Sequence, residues 1–182
     1  MGSVIELARN QLQHAFDTMS ANVRNLSVEE VFFVPPGGYR SIVGTLKHAA
    51  AWSHVYRSYA FDPSPRHWDQ LDWPRGLRDT VVIQVEYIDE VIAWFRLAHE
   101  MWMRDLSTLS DLDLWEPRRL HGGETAPLHH ILTMVAGHHH YYAGELNQIL
   151  AIARGEAWEE GKEVEENNIS TIGHRVLPPW KG

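Results

Sequence analysis

Apolar residues return at steps of three and four in four separate stretches of this chain. That period commits most of it to helices that pack through one face. The cleanest case is Val81, Val85, Ile88, Ile92, Phe95, His99, Trp102 and Leu106, whose alternating steps match the seam of a packed bundle; it predicts a helix starting near Leu77. An earlier stretch opens on Ser3, with Glu6 at capping-box spacing, and carries Ile5, Ala8, Leu12, Phe16, Met19, Val23 and Leu26. Pro35-Pro36-Gly37-Gly38 separates it from a second helix, capped near Ser41 and running to about Phe61. The last helix is expected to open with Thr125 as N-cap and Pro127 in its first turn, to end near Ala153, and to have Gly155 just beyond. No β-branched alternation is long enough to demand a sheet.

The expected fold is therefore all-α: one four-helix bundle over residues 1–155. Its order is read as up-and-down, with the long second and third connections leaving room for crossovers. Residues 156–182 are acidic at first and end Val176-Leu177-Pro178-Pro179-Trp180, which reads as an extended tail packing on the bundle. A length of 182 residues suffices for a core without staples.

Composition narrows the chemistry. The chain has no cysteine, which excludes disulfides, thiol catalysis, iron–sulfur clusters and cysteine-based zinc sites. It has 12 histidines, so a bound transition metal would have to rest on nitrogen and oxygen. With 16 Lys and Arg against 24 Asp and Glu, the net charge is −8, which argues against nucleic acid and anionic membrane as partners. No apolar run approaches the ~18 residues of a membrane span. The N-terminal stretch carries Glu6 early and lacks an apolar segment with a cleavage site, so a cytoplasmic location is expected.

Helical phase selects among the histidines. His138, Tyr142 and Glu145 share one stripe with Ile131, Val135 and Ile149, and that stripe must face the core. By the same phase His139 and His140 turn progressively away and are expected to be more exposed. On the second helix His48 shares a face with Trp52, Val55 and Tyr59, and His99 lies in the apolar seam of the third. A buried imidazole needs a partner, which is either a metal ion or an ordinary hydrogen bond to Tyr, Glu or a carbonyl. No Glu-x-x-His pair, zincin helix, phosphate-binding glycine loop or nucleophile elbow is present.

Two segments resemble the DinB/YfiT-like superfamily of bacterial metalloenzymes, a likeness extending over roughly Val4 to Arg154. One is Pro-Pro-Gly-Gly followed by Ser41-Ile-Val-Gly-Thr-Leu-Lys-His48-Ala-Ala-Ala-Trp52. The other is Thr125-Ala-Pro-Leu128 leading to His138-His-His-Tyr-Tyr142-Ala-Gly144-Glu145-Leu-Asn147. The resemblance implies a divalent metal (Zn, Ni, Mn or Fe) on three histidines, one from the second helix and two from the fourth. Carried over, the ligands are His48 and His138, and the third position falls on Tyr142, a departure from the family pattern. A tyrosine oxygen must lose a proton of pKa near 10 to ligate as an anion. Three outcomes stay open: a two-histidine site completed by Tyr142 or water, rescue by His99 or Glu145, or a site without metal.

The implied activity is metal-dependent hydrolysis or low-molecular-weight-thiol transfer. Arg118 and Arg119 are candidates to hold a cosubstrate's carboxylates, and Trp52, Tyr59 and Trp102 to wall a pocket. The alternative is a non-catalytic, small-molecule-binding or stress-associated bundle, and in either case the resemblance implies a homodimer.

Overall fold

The computed structural model describes residues 3–38, 40–74, 77–78 and 87–155. The expected tail over 156–182, and Val81 and Val85 of the predicted third-helix seam, lie outside them. Five α-helices are present among the described residues: α1 (Val4–Asn22), α2 (Val28–Phe32), α3 (Ile42–Phe61), α4 (Ile88–Leu106) and α5 (Leu128–Ala153). None is long and apolar enough to cross a membrane.

The helix ends show where local sequence and tertiary contact divide the work. α3 begins where expected, with the Ser41 hydroxyl accepting from the Gly44 amide. α5 ends as expected, with Gly155 at φ +68° just past it. At α1 the predicted capping box does not form, since the Ser3 side chain makes no cap hydrogen bond. The Asp111 carboxylate instead accepts from the Val4 and Ile5 amides and from the Ser3 hydroxyl, so a distant residue supplies the cap. α1 also stops at Asn22, and a true capping box at Ser27 and Glu30 starts α2 afresh. Thr125 and Pro127 do not open α5's first turn as expected. They form strand β2 (Thr125–Pro127), antiparallel to β1 (Pro117–Arg119), and Pro127 itself is the N-cap. The turn between these strands needs Gly123 at φ +92°, a conformation open to glycine at little cost.

The four long helices do not run up-and-down in sequence order. α1 lies parallel to α5: His14 meets His140, and buried Asn22 donates to the Ala143 carbonyl. α1 opposes α4, with Gln13 and Phe16 against His99 and Phe16 against Phe95. α3 and α4 are parallel, since His54 packs on Trp94, the Ser53 carbonyl accepts from the Trp102 indole, and Arg57 pairs with Asp105. α3 opposes α5, with His48 beside Tyr142 and Tyr56 beside His138. The order is therefore up, down, down, up, and the α3–α4 connection must travel back the length of the bundle. Its described residues lie along α3. Arg66 bonds Ser58, Trp68 packs on Trp52 and His48, and the Lys47 ammonium donates to the Arg78 carbonyl.

Two apolar clusters fill the bundle. One gathers Met19, Leu46, Val91, Phe95 and Leu146, and the other Leu12, Trp102, Leu106, Leu128 and Val135. Gln13, His99 and His139 make a polar layer within the core: Gln13 meets His99, and buried His139 lies near enough to buried His99 to feel its charge.

Candidate functional site

α3 and α5 cross antiparallel where each carries a polar aromatic stripe, and this brings the predicted ligand positions together. The ring centres of His48 and His138 are 5.8 Å apart. Tyr142 lies 5.1 Å from His48 and 4.5 Å from His138. Trp52 stands 6.3 Å from His48 and 6.2 Å from His138, and Tyr56 is 5.5 Å from His138. The returning loop adds Trp68, 5.6 Å from His48. Tyr142 is buried, whereas His48, Trp52, Tyr56, Trp68 and His138 are each half-buried, so the cluster lines a cleft.

Both imidazoles are neutral at physiological pH. Burial pushes His48 down to about 4, helped by the charge of Arg40 and then by His138. Burial, followed by Arg40, pushes His138 to the same value. Burial also raises the Tyr56 phenol, with Tyr59 and Tyr142 adding to the shift, and burial raises Tyr59. His138 Nδ1 is buried and has no hydrogen-bond partner among the described residues. Arg40, the residue before the α3 cap, has its guanidinium carbon 5.6 Å from the centre of the Tyr142 ring.

The other predicted site residues lie elsewhere. His99 is buried between α1 and α4, where Nε2 meets Gln13 Oε1 at 3.0 Å and the ring stacks on Phe16. Tyr59 reaches the cleft through Tyr56, the two ring centres 6.3 Å apart. Glu145 is half-buried, one turn beyond Tyr142, and makes no hydrogen bond or ion pair among the described residues. Arg118 donates to the Ala60 carbonyl and to Glu116 at the far end of α3, roughly 18 Å along the helix from His48 at 1.5 Å per residue. Arg119 is exposed on the same strand. His140 is exposed as expected, but His139 is 1% exposed. Helical phase alone predicts one buried face, whereas α5 is covered by α1 and α3 together, and His139 points into the polar layer.

Three members of the cleft went unnoticed in the sequence. Tyr56 could have been found, since it lies one helical turn beyond Trp52 on the His48 face. Arg40 precedes a cap and has no periodic signal, and Trp68 arrives only because the loop doubles back.

The model of the DinB superfamily matches residues 11–146, a span that includes His48, His138 and Tyr142. The chain belongs to the DinB superfamily. Among curated proteins, none matches it. The DinB fold implies a divalent ion at this cleft, and the donors present fit one. Two neutral imidazoles offer lone pairs, and an ion about 2 Å from a nitrogen of each would set the ring centres roughly 5 to 6 Å apart. Among the described residues buried His138 Nδ1 has no partner, and the Tyr142 phenol ring lies beside both imidazoles. No group of three His, Cys, Asp or Glu side chains suited to a metal occurs among the described residues; what gathers here is two imidazoles and a phenol.

Proposed function

We propose that this DinB protein is a metal-dependent hydrolase or low-molecular-weight-thiol transferase that works at the cleft between α3 and α5. His48 and His138 would hold the ion and Tyr142 would complete the donor set. The observation that carries this reading is the pair of facing imidazoles held neutral by burial, one with a buried nitrogen lacking a partner. When bound, a divalent ion lowers the pKa of a water or thiol and makes it nucleophilic near neutral pH. The chain's own contribution is to keep both imidazoles deprotonated without competition from protons, to exclude bulk water with Trp52 and Trp68, and to place the Tyr142 side chain beside both rings. With no cysteine in the chain, thiol chemistry here uses an external thiol.

A second reading is a metal-free bundle that binds a small molecule. It is favoured by tyrosine in the third position and by the Arg40 charge acting on both histidines. Metal analysis of full-length protein purified without an affinity tag decides between them. One equivalent of Zn, Ni, Mn or Fe, lost in His48→Ala, supports the first reading. Absence of metal with an intact helical spectrum overturns it and leaves the second.

Pairing as a homodimer belongs to both readings. Supporting it, Leu112 and Trp115 are 82% and 71% exposed, beside exposed Val4 and Leu7 at the end of the bundle where Asp111 caps α1. Sedimentation showing only a 20.9 kDa species at micromolar concentration would refute pairing.

A further inference from the structure

The seam between α1 and α4 holds an opening that the His48–His138 cleft does not use. The two helices run antiparallel, and between the last two turns of α1 and the first turns of α4 lies a hollow of about 280 Å³. Leu46 of α3 and Phe95 of α4, 2% and 3% exposed, line its depth. Half-buried Phe16, Val23 and Ile92 line it nearer the surface. The Phe16 ring stacks on Phe95 and His99 at once, which fixes that wall in place. Leu46 stands two residues before His48, about 200° around the helix axis, so hollow and cleft open on different sides of α3. The rest of the lining is polar: Ser20 of α1, Arg24 just past its end, and Arg96 of α4. Both arginines are exposed, and neither guanidinium makes a hydrogen bond or ion pair among the described residues; nor does the Ser20 hydroxyl. The nearby carboxylates do not neutralise them. Asp17 accepts from Gln13, and Glu100, one turn beyond Arg96, forms no ion pair with it. Two cations at the rim of an apolar hollow raise the local potential, and an occupant that brings negative charge to the rim relieves it.

From this hollow, apolar in its depth and doubly cationic at its rim, we infer that the α1–α4 seam binds a free carboxylic acid with a single short apolar chain. The chain lies over Leu46 and Phe95 between the Phe16 and Ile92 walls. The carboxylate meets Arg24 and Arg96, and the Ser20 hydroxyl is a third donor within the same lining. A guanidinium pairs with a carboxylate through parallel N–H donors, which an alcohol of the same chain length cannot match. The volume is close to that of the smallest ligand pockets, roughly 300 Å³, so it suits one short chain and excludes a two-chain lipid. This site stands apart from the α3–α5 cleft and takes its ligand with or without an ion there.

Isothermal titration of the full-length chain in EDTA tests this with three probes. They are octanoate, 1-octanol, which has the chain without the charge, and acetate, which has the charge without the chain. Octanoate should bind at least about tenfold tighter than octanol, the yield of two exposed charge contacts of modest strength. Acetate should show no saturable binding. In the double variant Arg24→Gln, Arg96→Gln, octanoate affinity should fall about tenfold. Ser20→Leu, which fills the hollow from α1, should weaken octanoate by more than tenfold, while His48→Ala should bind it like the native chain. Circular dichroism of each variant shows that the helices are retained. No saturable binding of octanoate, equal binding of octanoate and octanol, or a loss below about threefold in the arginine double variant overturns the inference. Octanoate binding that survives in Ser20→Leu but is lost in His48→Ala places the acid in the α3–α5 cleft and overturns it as well.

Discussion

Replacing His139 by leucine should stabilise the protein and remove a defined part of its sensitivity to acid. His139 is 1% exposed, packs edge-on against Phe95, and neither ring nitrogen has a hydrogen-bond partner among the described residues. Burial, followed by the nearby His138, His99 and His140, pushes its pKa from 6.5 to about 3. In the unfolded chain the ring takes up a proton as pH falls below about 6.5, while in the folded chain it stays neutral to about 3. Its contribution to stability is therefore complete above pH 6.5 and drains away as pH falls toward 3, at about 1.4 kcal/mol per pH unit at most. Between pH 7 and pH 5 one such group costs about 2 kcal/mol. Leucine has a similar volume and no proton to bind, so His139→Leu should lose about 2 kcal/mol less than the native chain over that interval. At pH 7 the variant also loses two unpartnered polar atoms, for a gain of about 1–3 kcal/mol, equivalent to a few degrees in Tm for a chain of this length. Urea denaturation at both pH values, in EDTA, reads both quantities. Parallel loss of stability in the two proteins, within about 0.5 kcal/mol, would refute the reasoning, because the ring would then be titrating alike in both states.

Other perturbations probe the bundle and the cleft. Trp102→Phe should cost about 1–3 kcal/mol in the same assay, since Trp102 is 1% exposed and its indole N–H satisfies the Ser53 carbonyl; a change below about 0.5 kcal/mol would contradict that burial. Arg57→Leu should cost about 2 kcal/mol, because Arg57 joins Asp62 and Asp105 where α3 runs beside α4, with both carboxylates largely covered. An unaltered denaturation midpoint would show the pairs to be idle. His48 and His138 should titrate near 4 by imidazole NMR in EDTA, and midpoints above 6 would show that the cleft is wetter than its burial implies.

The cleft was partly legible in the sequence for a simple reason. Residues on one helix face are related by the fixed angle of about 100° per residue, so the stripe His48–Trp52 and the stripe His138–Tyr142 can be read locally. Whether two such stripes face each other depends on helix order and direction, which no local period encodes. The up, down, down, up order set α3 antiparallel to α5 and closed the cluster, while the same order sent His99 to the α1–α4 interface and left Arg118 at the far end of α3. The misreading of His139 has the same origin. Phase assigns one inward face, but a helix covered on two sides buries two.

By itself, then, the sequence determined the presence of four long helices, the α3 cap at Ser41, the end of α5 just before Gly155, and the residue types able to hold a ligand, because these follow from propensity and period over a few turns. Tertiary structure alone decided the cap that Asp111 supplies to α1, the polar layer at His139, and the placement of Arg40 and Trp68 beside the histidine pair. Those depend on segments far apart in the chain meeting across the core. The 12 histidines that drew attention to metal are thereby reduced to two that face each other, with the Tyr142 ring beside both and the Arg40 guanidinium against that ring.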